Sequence, residues 1–578
     1  MKDFSGLKRN LKRDFGGLKN IRVAILGDSS TQFLNQAIRG EGFDSGFDLE
    51  MWEADFDQVE LQVFDDASEL YQFNPEVIIL FNCSHKLLAK YNKRNQDSYS
   101  HLASDEIELI KNISEKIRSR SDAKLIYYNY TEIDDSVFGN YASRTEISFL
   151  FQLRKLNYEL MLYAATTPDF FICDISTIQN ITGKSNFFRP SIYINSEMVI
   201  SLDALPLVAA KTVNLIAAMN GRMVKCVILD LDNTMWGGII GDDGMEGIQI
   251  GNLGIGKAFT EFQLWLKKLK NRGIILAVCS KNTESIAMEP FLHHPDMVLH
   301  ADDITVFMAN WESKVDNIRS IQEILNIGFD SMVFLDDNPF ERNVVREHIP
   351  QICIPELPED PAEYLEFLYS LNLFETLAFS KEDAERTQLY QTEAKRVTLQ
   401  KKFTNEDDFL QTLNMTSEVQ PFNKFNTPRV AQLTQRSNQF NLRTIRYTES
   451  EIENLLNSDN YFNFAFTLKD KFGDNGLICV IILFKKSNTT LFIDTWLMSC
   501  RVLRRGMENF VLNKLVSFAQ NHGFSELVGE YIVTQKNGMV KDHYLNLGFE
   551  SSDKLWKLNC KDYKYRPTFI EEVYENAH

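Results

Sequence analysis

The sequence predicts an α/β protein of several domains, in which two parallel-sheet domains precede an α+β domain. Short strands that are apolar throughout alternate with helical stretches up to about residue 370, as in parallel sheets covered by helices on both faces. Beyond residue 410 several strands follow one another, with one amphipathic helix before the last, which is typical of a mixed sheet. The chain has 578 residues, too many for one hydrophobic core, so about three or four domains are expected.

Charge and composition exclude several classes of partner. The 61 basic and 80 acidic residues give a formal net charge of −19, which argues against nucleic acid or an anionic membrane as the main partner. Apolar runs are far shorter than the roughly 20 residues that span a bilayer, so no membrane span is expected. The eight cysteines are scattered and include no C-x-x-C pair, as in proteins of a reducing compartment. The sequence therefore predicts a cytoplasmic protein, and it does not reveal the oligomeric state.

The first region, residues 1–220, opens with the strand IRVAILG at 21–27 and continues with apolar strands at 76–82, 123–130 and 169–175. Helical stretches lie between these strands, so the pattern predicts one parallel sheet with helices on both faces. This arrangement is a Rossmann-like or flavodoxin-like layered domain.

The turn GDSST, which follows the first strand, resembles the nucleophile block of SGNH hydrolases, with Ser29 as the candidate nucleophile. The SGNH triad also needs a late histidine, but after His85 and His101 the next histidine is His293. We therefore predict an SGNH-like domain that is not catalytic and that serves as a docking scaffold.

The second region, residues 221–370, begins with MVKCVILDLDNT, in which Asp230 and Asp232 stand where a buried strand ends. Side chains two residues apart on an extended strand share a face, so both carboxylates can surround one phosphoryl group. Asp230 would attack phosphorus to form an aspartyl phosphate, and Asp232 would protonate the leaving group and then activate the acceptor. Ligands bind at such strand ends in open α/β sheets.

Three later segments supply the other requirements of phosphoryl transfer. Ser280 closes the strand in AVCSKN and can hold a phosphoryl oxygen, and Lys314 in NWESK can neutralise the charge that nucleophile and phosphate share. Asp336 and Asp337 in FLDDNPFER again stand at a strand end. With Asp230 they offer the carboxylate oxygens that Mg²⁺ prefers.

The motifs D-L-D-N-T-x-W-G-G, V-C-S-K-N, N-W-x-x-K and F-L-D-D-N-P-x-E-R together resemble the four signatures of FkbH-like proteins. These proteins belong to subfamily IIIC of the haloacid dehalogenase (HAD) superfamily, so the resemblance implies a three-layer Rossmann-like phosphatase or phosphotransferase core. It implies a catalytic, phosphate-binding or metal-binding role for Asp230, Asp232, Asn233, Thr234, Gly237, Gly238, Ser280, Lys281, Asn282, Lys314, Asp336, Asp337, Asn338 and Arg342. The backbone of Asp232 is a further expected metal ligand.

The spacing between the first two motifs bears on the substrate. Only the glycine-rich segment WGGIIGDDG and, as we expect, one helix lie between Asp230 and Ser280, which leaves no room for a large cap domain. An HAD site without a large cap is open to bulky or macromolecular substrates, and the glycine-rich segment would be its main cover.

A helical connector is predicted at 371–410, and the third region, 411–578, resembles the acyltransferase domain of the GNAT family. Arg504, Arg505 and Gly506 precede a helix in the manner of the coenzyme A loop, whose backbone N–H groups hold pyrophosphate, and HYLNLGF resembles the terminal motif of that fold. The pattern departs from the family at Leu503 and Glu508. The expected ligand is coenzyme A or phosphopantetheine.

Cys500 stands at a predicted strand end beside Arg501, Arg504 and Arg505. Nearby cations lower the pKa of a thiol and favour the thiolate, so this cysteine could carry an acyl group. A buried strand cysteine without reactivity is the alternative.

The family resemblance implies glyceryl transfer from a phosphorylated three-carbon donor to the thiol of an acyl carrier protein. An acidic carrier could contact the arginines near Cys500 despite the overall negative charge. Two alternatives stay open. One is a phosphatase acting on a sugar or polyol phosphate, fused to an acetyltransferase of polysaccharide or nucleotide-sugar biosynthesis. The other is a non-enzymatic scaffold with a vestigial HAD site, which the intact acid pair disfavours.

Overall fold

The computed structural model describes residues 2–379, 386–400, 403, 405–499, 502–503, 505–534 and 536–573. The chain forms two compact units, Met1–Met219 and Asn220–His578. The division of the second unit at residues 370 and 410 stays a prediction.

The first unit is a parallel α/β sandwich. Its sheet has the order β2-β1-β3-β4-β5, with every neighbouring pair parallel. The strands are β1 Lys19–Gly27, β2 Phe47–Glu53, β3 Val77–Phe81, β4 Lys124–Tyr128 and β5 Phe170–Cys173. The helices are α1 Phe4–Asn10, α2 Gln32–Asp44, α3 Val59–Phe64, α4 Glu69–Phe73, α5 Ser84–Asn92, α6 Leu102–Arg120, α7 Phe149–Thr166, α8 Ile175–Thr182, α9 Lys184–Phe187, α10 Pro190–Ser196 and α11 Leu205–Met219.

Four of these five strands match the apolar runs in the sequence. Strand β3 is buried along its whole length, as expected for a strand covered on both faces. Strand β2 lies at the edge of the sheet, and its sequence FDLEMWE mixes charged and apolar residues. An edge strand of this composition lacks the continuous apolar run that marks the other four.

The second unit begins with a parallel sheet of order β8-β7-β6-β9, built from β6 Cys226–Leu229, β7 Ile275–Ser280, β8 Val306–Ala309 and β9 Met332–Leu335. Its helices are α12 Ile240–Gly247, α13 Gly256–Asn271, α14 Glu284–His293, α15 Lys314–Leu325, α16 Pro339–His348 and α17 Tyr364–Ser370. Val227 and Leu229 pack on one face of the sheet and Cys226 and Ile228 on the other. The predicted three-layer core without a large cap is confirmed.

The segment between Asp230 and Ser280 differs from the prediction in one respect. Part of the glycine-rich segment forms the short helix α12, which breaks at Gly244 with φ 67°, and α13 follows it. The segment therefore contains two helices where one was expected, because the glycine permits a reversal of the chain inside the motif.

The last part of the second unit is an α+β domain, as predicted. Its sheet has the order β15-β16-β14-β13-β12-β11-β10-β17 and contains two parallel pairs, β13 with β14 and β10 with β17. The strands are β10 Met415–Gln420, β11 Tyr461–Asp470, β12 Gly473–Lys485, β13 Thr490–Met498, β14 Glu526–Glu530, β15 Glu550–Ser552, β16 Leu555–Asn559 and β17 Ile570–Val573. The helices are α18 Arg386–Gln400, α19 Glu406–Thr412, α20 Thr427–Arg436, α21 Glu449–Leu456, α22 Met507–Asn521 and α23 His543–Asn546.

No helix within the described ranges combines the length and apolarity that crossing a bilayer requires.

Helix α18 is anchored by a buried ion cluster. The side chains of Arg396 and Asp470 are 3% and 0% exposed, and their N and O atoms approach to 2.6 Å. Arg505 pairs with Asp470 at 3.3 Å and also with Glu393 of the same helix. Buried charges depend on such partners, since removal of one leaves the others desolvated and uncompensated.

Replacing Asp470 with Asn should therefore lower the free energy of unfolding of the second unit by about 3 kcal/mol. Chemical denaturation followed by the fluorescence of Trp496, buried in the same domain, measures this change. The matched control is Asp474→Asn, because Asp474 pairs with Lys469 in an exposed ion pair and should change the stability by less than about 1 kcal/mol. Equal effects of the two variants would contradict the importance of the buried cluster.

Candidate active site

Asp230, the candidate nucleophile, and Asp336, a candidate metal ligand, each follow the last residue of a strand, and these two strands are neighbours in the sheet. Leu229 of β6 pairs with Leu335 of β9, and the next residues along the chain are Asp230 and Asp336. The Asp230 N–H donates to the Leu335 carbonyl at 2.9 Å, which extends the ladder by one residue. Parallel pairing thus brings the two carboxylates together at the carboxyl edge of the sheet.

Lys314 lies between these two carboxylates. Its Nζ is 3.0 Å from Asp230 Oδ1 and 2.6 Å from Asp336 Oδ2, with only 4% of the lysine side chain exposed. Burial by itself would lower the lysine pKa, but the two carboxylates outweigh burial and raise it. The side chain is therefore a fixed cation at neutral pH.

Asp230, Asp336 and Asp337 could hold a divalent cation. Each offers one carboxylate oxygen, and these oxygens lie within 4.8 Å of one another. Burial and the charge of Asp230 raise the pKa of Asp336 to about 7 and also raise that of Asp337. Thr234 supports the set, because its Oγ1 donates to Asp337 Oδ1 at 3.3 Å and accepts from the Asp337 N–H. This hard oxygen set suits Mg²⁺, which prefers carboxylates and water.

Asp232, the proposed acid and base, is held by three donors. Trp236 Nε1 and the Ile240 N–H each donate to Oδ1 at 3.0 Å, and Asn282 Nδ2 donates to Oδ2 at 3.1 Å. Burial raises the pKa of Asp232, whereas the bonds from Ile240 and Trp236 lower it. The opposing effects suit a group that must both release and accept a proton.

The turn after Asp232 requires left-handed backbone. Asn233 and Gly238 have φ values of 56° and 92°, and Asn233 Oδ1 accepts the Gly238 N–H at 2.9 Å. A Cβ on Gly238 would lie 2.6 Å from Asp243 Oδ2, and one on Gly237 would lie 2.9 Å from Gln249 Oε1. The two glycines therefore shape the turn, and a phosphate-binding role for them stays a prediction.

The other motif residues surround the same edge. Ser280 closes β7, next to β6, and is 2% exposed. Lys281 Nζ pairs with Glu341 Oε1 at 2.5 Å. Asn338 caps helix α16 by accepting the Phe340 N–H.

Arg342 holds the backbone of the loop that carries Asp336 and Asp337. Its Nη1 donates to the carbonyls of Asp336 and Asp337, each at 2.7 Å, and the guanidinium also pairs with Glu356. Arg342 therefore holds the loop, so the direct phosphate contact expected from the motif has no support in this arrangement.

Among the residues predicted to bind a coenzyme, Arg505 and Gly506 lie in the described part of the chain. Arg505 is 4% exposed and pairs with Glu393 and Asp470, so a contact with pyrophosphate would require those ion pairs to open. Gly506 has φ 71° and precedes helix α22, as a tight turn before a helix needs. Cys500, Arg501 and Arg504 lie outside the described residues.

Several contacts of the site escaped the sequence analysis. Trp236 stands inside the quoted motif, but nothing in the pattern indicated that its indole N–H reaches Asp232. Glu341 is also part of a motif, and its pairing with Lys281 joins two motifs that lie 60 positions apart. Tyr364, whose hydroxyl donates to the Asn233 carbonyl at 3.3 Å, belongs to no motif.

Two comparisons with known proteins bear on the family of this chain. Residues 22–217 match the family model of the FkbH N-terminal domain. A crystal structure of the N-terminal part of protein BF1531 from Bacteroides fragilis, described as containing a phosphatase domain complexed with Mg, is 54% identical. The alignment covers 66% of this chain and 100% of that one, with a TM-score of 0.64.

The chain belongs to the FkbH-like family. The family predicted from the four motifs is thus confirmed. The FkbH-like chain is longer than the aligned relative, which matches 66% of it.

Other comparisons add less. The ribosomal-protein-S18-alanine N-acetyltransferase of Escherichia coli aligns at 15% identity over 28% of the FkbH-like chain and 99% of its own, with a TM-score of 0.20. Ard1 of Thermoplasma volcanium aligns at 16% identity over 25% and 95%, with a TM-score of 0.19. Such TM-scores do not establish a common fold. No curated protein matches the chain.

The hydrogen bond from Trp236 to Asp232 predicts a shift in pH dependence. In Trp236→Phe the ring still packs on Phe291, but the carboxylate loses a donor, so the pKa of Asp232 should rise by about one unit. The limb of the pH–rate profile that reports Asp232 should move to higher pH, measured as phosphate release from p-nitrophenyl phosphate.

The control for this prediction is Trp265→Phe. Trp265 is half-buried on α13 and contacts Tyr369 and Phe374, so its profile should match that of the unmodified chain. An unshifted profile in Trp236→Phe would show that the indole N–H does not tune the catalytic carboxyl group.

Proposed function

We propose that the FkbH-like chain is a Mg²⁺-dependent phosphotransferase that forms an aspartyl phosphate on Asp230. The observation that carries this proposal is the group formed by Asp230 and Asp336, which are buried, and Asp337, which is half-buried, around Lys314. Carboxylates crowded together in a poorly solvated position repel one another, and such arrangements are typical of functional sites. With a fixed ammonium group beside them, they suit phosphoryl transfer. The Mg complex of the Bacteroides fragilis relative supports the choice of metal.

The residues of the chain divide the reaction between them. An Asp230 oxygen forms the new bond to phosphorus while the bond from phosphorus to the leaving oxygen breaks, and Asp232 gives that oxygen its proton. In the second step the oxygen of water or another acceptor bonds to phosphorus while the bond from phosphorus to the Asp230 oxygen breaks, which frees the Asp230 carboxylate, and Asp232 takes the acceptor's proton. Lys314, whose Nζ lies 3.0 Å from Asp230 Oδ1, would orient the nucleophile, and Ser280 would hold a phosphoryl oxygen. Bound Mg²⁺, held by Asp230, Asp336 and Asp337, would neutralise phosphoryl charge.

We further propose that this step is coupled to acyl transfer. The donor would be a phosphorylated three-carbon acyl compound that carries a leaving group on its carbonyl carbon. The Cys500 sulfur would bond to that carbon while the leaving group departs, and the thiol of an acyl carrier protein would then displace Cys500 from the thioester. The phosphate ester elsewhere on the donor would pass its phosphoryl group to Asp230. Membership of the FkbH-like family supports this proposal, as does the absence of a large cap, which leaves room for a macromolecular acceptor.

The phosphotransferase proposal predicts that Asp230→Asn abolishes activity. Phosphate release from p-nitrophenyl phosphate in the presence of Mg²⁺ should fall at least about a thousandfold, as when other covalent nucleophiles are removed, and chelation of Mg²⁺ should have a similar effect that added Mg²⁺ reverses. The control Asp316→Asn should stay active, because Asp316 is an exposed residue of α15 that pairs only with Arg319 among the described residues. Undiminished activity in Asp230→Asn would refute the assignment of the nucleophile.

The acyl-transfer proposal predicts a covalent adduct. After incubation with a phosphorylated glyceryl donor, intact-mass analysis should show a glyceryl adduct that is absent in Cys500→Ala and retained in Cys353→Ala, since Cys353 is an exposed cysteine of the HAD region. An active phosphatase that acquires no adduct on any cysteine would refute the loading step and favour a simple sugar or polyol phosphatase.

A further inference from the structure

The strand order of the first unit creates a topological switch point, a position where α/β proteins bind ligands. In the order β2-β1-β3-β4-β5, the chain leaves β1 towards one edge and returns to β3 on the other side of β1. The helices after β1 and β3, α2 and α5, therefore diverge to opposite faces of the sheet. Crevices at such topological switch points, outside the carboxyl ends of the strands, are the usual ligand sites of open parallel sheets.

Polar residues follow both strands at this switch point. Asp28 and Ser29 come directly after β1, and Cys83 comes two residues after β3. The Cys83 N–H donates to Asp28 Oδ1 at 2.9 Å, which ties the two strand ends together. Ser29 is 2% exposed, and its Oγ finds no hydrogen-bond partner among the described residues. A buried hydroxyl without a partner is costly, and a ligand that bonds to it would remove that cost.

A third polar residue, His85, lies beneath an aromatic cover. Its ring stacks on Phe188 with centroids 4.0 Å apart and contacts Tyr193 at 4.8 Å. Its buried Nδ1 also has no hydrogen-bond partner in the described part of the chain. The Ser30 N–H donates to the Glu197 carbonyl at 3.1 Å, so the segment that carries Phe188 and Tyr193 is joined to the turn after β1.

The charges near the switch point are balanced. Lys86 pairs with Glu197 at 2.7 Å and Lys90 with Glu106 at 3.0 Å. Burial lowers the pKa of His85 to about 4, so the imidazole is neutral at pH 7. Burial also raises the pKa of Asp28 to about 7, against the effect of hydrogen bonds from Cys83. Each nearby lysine thus already has a carboxylate partner, which disfavours phosphate or another anion as the ligand.

We infer that this switch point is a second binding site of the protein, which takes a small ligand through an uncharged amide group. The Ser29 hydroxyl can both donate and accept a hydrogen bond, and His85 Nδ1 can do either, depending on its tautomer. This pair of unpartnered polar atoms matches an amide, which presents one carbonyl oxygen and one N–H. The segment with Phe188 and Tyr193 must move to admit the ligand, because Ser29 Oγ and His85 Nδ1 are enclosed.

Ligand-observed NMR titration of the full chain with N-methylacetamide tests this inference. Saturable binding is expected, and Ser29→Ala and His85→Phe should each weaken it at least about fivefold, the effect of losing one hydrogen bond. Phenylalanine can keep the stacking on Phe188 and Tyr193 while it removes the ring nitrogens. The control Ser119→Ala should bind like the unmodified chain, because Ser119 is an exposed serine of α6 whose hydroxyl, within the described part of the chain, bonds to the Lys116 carbonyl.

Three further measurements separate the possible outcomes. Methyl acetate and acetate should bind more weakly than the amide, and equal or tighter binding of either would overturn the ligand class. Ser29→Ala should not lower the thermal unfolding midpoint, because the hydroxyl has no hydrogen-bond partner to lose among the residues that the structure describes, so weakened binding could not be ascribed to misfolding. Asp230→Asn should leave amide binding intact, which keeps this site distinct from the phosphotransferase centre. Absence of saturable binding, or undiminished binding in Ser29→Ala, would overturn the inference.

Discussion

The arrangement of the phosphotransferase centre follows from one buried ammonium group among three carboxylates. Oxygens of Asp230, Asp336 and Asp337 approach within 4.8 Å of one another, and a single cation, Lys314, can offset only part of their mutual repulsion. Burial first, and then the charge of Asp230, raises the pKa of Asp336 and Asp337. A site with unbalanced negative charge in a poorly solvated position favours the arrival of a dication. The adjacency of β6 and β9 is what prevents the carboxylates from moving apart.

Hydrogen bonds connect the acid–base residue Asp232 to the glycine-rich segment that covers the site. Asp232 accepts from Ile240 and Trp236, which both belong to the glycine-rich segment, and from Asn282 after β7. Any movement of that segment would change the number of donors on Asp232 and hence its proton affinity. Opening of the site and protonation of its acid are therefore linked through hydrogen bonds.

Much of the fold and of the centre could be predicted because the signals are local. Apolar strands such as β6 and β9 are visible as continuous runs, and the carboxylates Asp230 and Asp336 stand directly after them. Strand β2 was missed because an edge strand with exposed polar residues has no such run. The pairing of Arg505 with Glu393 and Asp470 was invisible, since its partners lie 112 and 35 positions away in sequence. Tyr364 reaches Asn233 across 131 positions, and no pattern in the chain indicates that contact.

Helix α18 contacts both parts of the second unit. Gln391 donates to the carbonyls of Asp302 and Ile304 in the phosphotransferase core, while Arg396, one turn further along, pairs with Asp470 of the α+β domain. The helix is therefore a shared structural element, not a replaceable spacer. If recombination between genes exchanged one of the two domains, one side of this helix would face a surface that does not match it. Exchange of the α+β domain would leave buried Arg396 without Asp470. The two domains should consequently have been inherited together, with the helix as their common boundary.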